Sequence, residues 1–179
     1  MNSEHRFPEQ SEKLWSSFFY ISGISTLIVW NSVLSLTGYW TQKIKPGIQN
    51  YYGFYFMIGS FLSFLFYEKI NSKIGWFVQI VVWPILMTLI FFIYILVGEC
   101  LSTSDLETTR AAIFLIGCFI QGFINNCLQT TISRYVFAFG PTEISSYTAG
   151  TGIAGFGVAL VAFILTYCPI SVTSQFGVY

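Results

Sequence analysis

Charge is what this sequence lacks most: eight Lys and Arg and eight Asp and Glu in 179 residues, 9% of the chain, with formal net charge zero. A surface so poor in charge is not that of an ordinary water-soluble domain, and a balanced charge provides no basic footprint for nucleic acid phosphates. Histidine is nearly absent, His5 being the only one. That excludes a His-dependent base, a nucleophile relay and a multi-His metal site. No Gly-rich phosphate loop with its lysine opens a helix, and the carboxylates fall outside the apolar stretches, so neither enzyme chemistry nor a cofactor is expected. The four cysteines form neither a disulfide framework nor a zinc site. Cys118 and Cys127 lie in an apolar stretch, and a Cys100–Cys168 bridge is one of several open pairings.

Apolar residues fill the space that charge leaves: 54% of the chain is hydrophobic, 20% is aromatic, and the mean hydropathy is +0.65. The few charges are clustered. Charge-free windows of 29, 22, 25 and 23 residues separate the clusters, and a last one of 36 follows Glu143. A helix rising about 1.5 Å per residue crosses the hydrocarbon core in about 20 residues, so each window is long enough to span it.

The expected fold is therefore an all-α membrane protein with five transmembrane helices, at 14–39, 51–67, 74–98, 111–137 and 146–168. A polar tail over 1–13 precedes the bundle of 14–170, and a short polar tail over 171–179 follows it. Gly53 and Gly59 dilute the second helix, and Pro84 should kink the third. With the N-terminus in the cytosol, five Lys and Arg fall on that side (Arg6, Lys13, Lys69, Lys73 and Arg134). Lys43, Lys45 and Arg110 fall on the other, which favours N-in and C-out.

Two windows carry patterned polarity. Gln121, Asn125, Gln129 and Ser133 recur every four residues, stacking on one helix face with Asn126 beside them. Amides in lipid are costly without partners, so this stripe should look inward, at other helices or at a wet cavity. Arg134 should reach for the interface at the helix end. The last helix carries Gly150, Gly152, Gly155 and Gly157, with Ala159 one turn beyond Gly155; small residues let helix backbones approach closely in a membrane. In the first helix, Trp30 and Asn31 place an indole and an amide together at mid-membrane depth.

These residues also carry a family resemblance. Leu14-Trp15, Phe18-Phe19, Gly23, Thr26-Leu27 and Trp30-Asn31 are similar to the first helix of the equilibrative nucleoside transporters. Leu128-Gln129, then Pro141, Tyr147-Thr148-Ala149 and the block from Gly150 to Phe156 resemble that family's fourth and fifth helices in order and spacing. The resemblance implies half of a major-facilitator-like, two-bundle transporter, with Leu27, Trp30 and Gln129 lining a nucleoside cavity and Asn31 their neighbour. Val29 stands where the family has proline, Thr130 and Thr131 where it has smaller residues, and Arg134 adds a large cation.

Because that family's mechanism rocks one bundle against another, five helices alone should not move a nucleoside. Two expectations follow. The chain is a nucleoside-transporter-like component that pairs with a second transporter half or other membrane subunits. Alternatively it is a non-transporting structural subunit of a larger membrane complex, derived from a truncated transporter.

Overall fold

The computed structural model describes residues 9–101 and 106–167. Among them are six helices and no strand: α1 (Glu9–Ser35), α2 (Thr37–Lys43), α3 (Gln49–Asn71), α4 (Trp76–Cys100), α5 (Glu107–Phe139) and α6 (Pro141–Tyr167). The all-α expectation holds. Four helical stretches, not five, are long and apolar enough to cross a membrane: Lys13–Ser35, Val78–Cys100, Glu107–Phe139 and Pro141–Ile164. The second expected span is the one corrected. Helix α3 has the length, with 23 residues, but Tyr51, Tyr52, Tyr55, Gly53, Gly59, Ser60 and Ser63 lower its hydropathy. Four candidate spans, the 23-residue α3 and the short α2 are also not the half of a major-facilitator-like fold.

Helix boundaries move outward from the apolar windows, because capping and not hydropathy sets where a helix ends. The expected polar tail over 1–13 is helical from Glu9 onward, where Glu9 and Glu12 favour the positive end of a helix. Helix α6 begins at Pro141 rather than Ser146, since proline fits the first helical position, where its missing N–H would be unsatisfied anyway. Gly140, with φ 152°, forms the one-residue joint to α5. The first helix breaks early. At Leu36 the backbone turns out of line, and the Thr37 hydroxyl donates to the Leu34 carbonyl at 2.6 Å, so Thr37–Lys43 forms the separate α2. The Trp40 indole closes this elbow, donating to the Val33 carbonyl at 2.8 Å. Helix α4 continues through Pro84, whose carbonyl accepts the Thr88 hydroxyl at 2.9 Å. The expected tail over 171–179 lies outside the described residues.

The long helices are arranged as two close parallel pairs with α4 between. Helix α1 lies along α6: the Ser16 and Ser146 hydroxyls share a bond of 2.6 Å, and Gly23 meets Gly150 one and two turns further on. Helix α3 lies along α5 in the same sense, from Tyr52 beside Phe114 to Glu68 beside Arg134. It thus returns the chain to the end where α4 begins. Helix α4 runs antiparallel to α5 against it.

Glycine makes both parallel contacts possible. A Cβ on Gly59 would overlap the Phe119 carbonyl and one on Gly122 the Phe56 carbonyl, while Gly23 and Gly150 stand in the same relation to Tyr147 and Tyr20. Backbones this close gain dispersion contacts that larger side chains would forbid. Tyr94 packs over Gly117 in the same way.

The outside of the bundle is apolar. Phe54, Met57, Phe61 and Phe64 on α3, Ile85, Leu89 and Phe92 on α4, and Phe156, Val161 and Phe163 on α6 all point outward. Water would penalise so large an apolar surface at about 25 cal/mol per Å², whereas lipid does not. Helix α3 has two unlike faces: its small and polar residues face α5, and its large apolar ones face out.

These contacts make glycine position decisive. Gly122→Ala places its methyl on a carbonyl oxygen and should cost about 1–3 kcal/mol in overpacking. Gly152→Ala meets open space and should gain up to ~1 kcal/mol of helix propensity. Thermal unfolding of the two variants in detergent, with opposite signs expected, checks this.

Candidate functional site

The polar side chains inside the bundle converge on α5, whose successive faces meet α3, α4 and the α1–α6 pair. Toward α3, the Asn126 amide donates to the Ser60 carbonyl at 3.2 Å and to the Ser63 hydroxyl at 2.7 Å. Toward α4, the Tyr94 hydroxyl donates to Oε1 of Gln121 at 3.0 Å. Lower on α5, Thr131 donates to Oε1 of Gln79 at 2.7 Å and meets the Tyr67 hydroxyl at 3.1 Å. The Gln79 amide in turn reaches Asn71 at 3.1 Å and the Ile74 carbonyl at 2.8 Å. This chain ties three helices at one end of the bundle.

The α5 stripe divides by depth. Gln121 is 0% and Asn125 5% exposed; Gln129 and Ser133 are half-buried. Gln129 and Ser133, with the buried Thr26 of α1, surround the Tyr147 hydroxyl of α6. Among the described residues, no partner is in bonding position for Nε2 of Gln121 or Oδ1 of Asn125. The site is thus a neutral polar face formed by α5 and closed by α1, α4 and α6.

The other residues read from the sequence divide between this face and ordinary packing. Trp30 does not stand free. Its ring stacks on Phe56 at 3.7 Å and meets Tyr52 edge-on at 6.0 Å, bridging α1 to α3. Leu27 and Asn31 are half-buried on α1, and Asn31 lies 3.6 Å from where a Gly155 side chain would begin. In the last helix, Gly150 makes the close α1 contact. Gly152 and Ala159 do not pack on a helix: nothing lies within 4 Å of a Cβ at Gly152, and Ala159 is exposed. The reason is geometric, since residues two or nine apart on a helix fall on different faces. Arg134 pairs with Glu68 and covers the Tyr67 ring at 4.7 Å, so this cation is held at the helix end by both partners. Cys100, Cys118 and Cys127 are free thiols, and Cys168 lies outside the described residues.

Two features were not legible from spacing. Tyr147 and Thr26 belong to helices that only the fold brings to α5; their hydroxyls in otherwise apolar stretches were the available signal. At the opposite end of the bundle, Arg110 donates to the Lys43 carbonyl at 2.7 Å, capping α2. Lys43 pairs with Glu99 at 3.1 Å and Lys45 with Glu107 at 3.8 Å. The Tyr39 hydroxyl also donates to Glu99 at 2.6 Å. Burial first, then that bond and the Glu99 charge, hold the Tyr39 pKa above the ordinary tyrosine value.

Between α1, α4 and α5 lies an apolar chamber of about 170 Å³, lined by Trp15, Phe18, Phe19, Ile80, Tyr135 and Phe139. It adjoins the end of α5 beyond Ser133, and its lining is almost wholly apolar. Among the described residues, no three His, Cys, Asp or Glu side chains are grouped to hold a metal.

Comparison with known protein families, with curated proteins and with solved structures returns no match to this chain.

The hydrogen-bond chain through Thr131 can be separated from the stripe. Thr131→Val keeps the shape but strands the Gln79 oxygen and the Tyr67 hydroxyl, costing about 1–3 kcal/mol of stability. A lowered melting temperature in detergent, with unchanged membrane insertion, is the expected result.

Proposed function

We propose that this chain is a nucleoside-transporter-like integral membrane protein contributing one helical bundle to a transport or membrane assembly. Its partners in this reading are the bilayer and other membrane subunits or a second transporter half, with a nucleoside as the solute. One observation carries the proposal: α5 turns a face of neutral amides and hydroxyls inward, and two polar atoms along it, Nε2 of Gln121 and Oδ1 of Asn125, are without partners among the described residues, while the outside of the bundle is apolar. A face built only to hold helices together would leave no donor or acceptor unbonded in hydrocarbon, where each costs several kcal/mol. Gln129 beside Tyr147 is the residue assigned to touch the solute, with Leu27 and Asn31 as flanking wall. Lys13, Lys69, Lys73 and Arg134 gather at the end where α1 begins, against Lys43, Lys45 and Arg110 at the other. That asymmetry supports the reading in which the start of α1 faces the cytosol.

A second reading, a non-transporting structural subunit of a larger complex, is favoured by a specific observation. Trp30, assigned by resemblance to the cavity, is instead stacked between α1 and α3, and Asn126 bonds α5 to α3. Such residues act as glue, worth about 1 kcal/mol each.

The two readings separate experimentally. In the first, Gln129→Ala abolishes uptake of labelled nucleoside by cells or liposomes carrying the native assembly, with expression unchanged. In the second, uptake is indifferent to Gln129 and the chain purifies in fixed stoichiometry with a large complex.

A further inference from the structure

Gln121 and Asn125 are consecutive rungs of the α5 stripe, more than nine-tenths buried, and each keeps one hydrogen-bonding atom unused: a donor, Nε2, and an acceptor, Oδ1. The Gln121 amide is anchored, because its oxygen already accepts the Tyr94 hydroxyl at 3.0 Å. Side chains one turn apart begin about 5–6 Å from each other. Amides on such neighbouring stems come within reach of one small group, which with two hydrogen bonds of about 2.9 Å joins polar atoms up to about 5–6 Å apart.

We propose that an uncharged hydroxyl-type ligand bridges these residues, accepting from Nε2 of Gln121 and donating to Oδ1 of Asn125. Two sources share this chemistry: a bound water and the hydroxyl of a small polar solute. The ligand is neutral because the groups facing it are amides and hydroxyls. An ion there would need a counter-charge to offset desolvation, whereas a hydroxyl needs only the two bonds on offer. The site is polar on purpose, since a cavity lined by apolar groups stays dry. Four residues further along, Gln129 leads to the Tyr147 hydroxyl, with Thr26 and Ser133 beside it. From Gln121 to Ser133 the track rises about 18 Å, more than half of a hydrocarbon core of about 30 Å. The inference deepens the reading of α5 as a solute-facing wall and rests on it.

Radiolytic hydroxyl-radical footprinting of the full chain in lipid nanodiscs tests this, because radicals form where water is bound. Tyr94 and Phe114 make an internal pair: both are fully buried, their rings 4.7 Å apart, and only Tyr94 reaches Gln121. Tyr94 should be modified several-fold faster than Phe114. Asn125→Leu removes the ligand's acceptor, leaves the Tyr94–Gln121 bond in place, and should bring Tyr94 down to the Phe114 rate. Asn125→Ser keeps an acceptor and should retain most of the labelling, and it decides the matter if the leucine variant does not fold.

Glycerol distinguishes the sources. A glycerol-dependent fall in wild-type Tyr94 labelling relative to Phe114, a ratio that corrects for radical scavenging by glycerol, assigns the site to a solute hydroxyl, and a ratio indifferent to glycerol assigns it to water. Tyr94 modified no faster than Phe114 in the wild type overturns the proposal, as does labelling unchanged in Asn125→Leu; either result means that Gln121 and Asn125 bond each other in a dry core. Loss of nucleoside uptake in Gln129→Ala alongside a dry Tyr94 would keep the solute-facing wall and remove only this site.

Discussion

Hydrocarbon gives a buried polar group nothing to bond with, and that constraint organises this bundle. The hydrogen bonds that tie α3 and α4 into the middle of the bundle centre on α5. Gln121 takes the hydroxyl of α4, Asn126 the carbonyl and hydroxyl of α3, and Thr131 joins α3 to α4 through Tyr67 and Gln79. Helix α5 is accordingly the most deeply enclosed of the candidate spans. Its amides are turned inward among buried Phe114, Leu128 and Ile132, while Ile116, Ile120 and Phe137 face outward, an arrangement that lipid permits.

Close backbone contact complements the polar bonds. At the α1–α6 and α3–α5 crossings reciprocal glycines remove the side chains that would hold the helices apart. The same crossings fix the rotation of each helix, and rotation decides which residues meet the interior. Gly150 against Gly23 turns Tyr147 toward Thr26 and α5; Gly122 against Phe56 turns Asn126 toward Ser60 and Ser63. Small residues thus position the polar ones, although they contribute no chemistry.

Much of this was legible in the sequence because charge is so scarce. Clusters such as Glu68-Lys69 and Glu99 mark helix ends within a few residues, and the four-residue recurrence from Gln121 to Ser133 identified the inward face of α5. What stayed hidden depended on partners distant in the chain. Nothing local says that Trp30 will stack on Phe56, or that Gly150 will meet α1 while Gly152 meets nothing. A glycine count does not carry the angle at which two helices cross. The status of α3 was obscured for a related reason: averaging over its window mixes an outer face of Phe and Met with an inner face of Gly, Ser and Tyr, and only the contact with α5 separates them.

Asn125 and Asn126 show how finely this separation operates. They are neighbours in sequence with the same side chain, yet about 100° of helical rotation points them at different surroundings. Asn126 has both donors engaged by α3, so its chemistry is consumed in holding two helices together. Asn125 is more deeply buried, and its oxygen is unbonded among side chains of its own bundle. Were burial alone the reason for amides in this helix, the deeper one would be the better satisfied. The reverse is found. Asn126, which faces α3, serves assembly, whereas Nε2 of Gln121 and Oδ1 of Asn125, on the line that runs toward Gln129 and Tyr147, are left unbonded among the described residues, and the proposed reading of α5 rests on that difference.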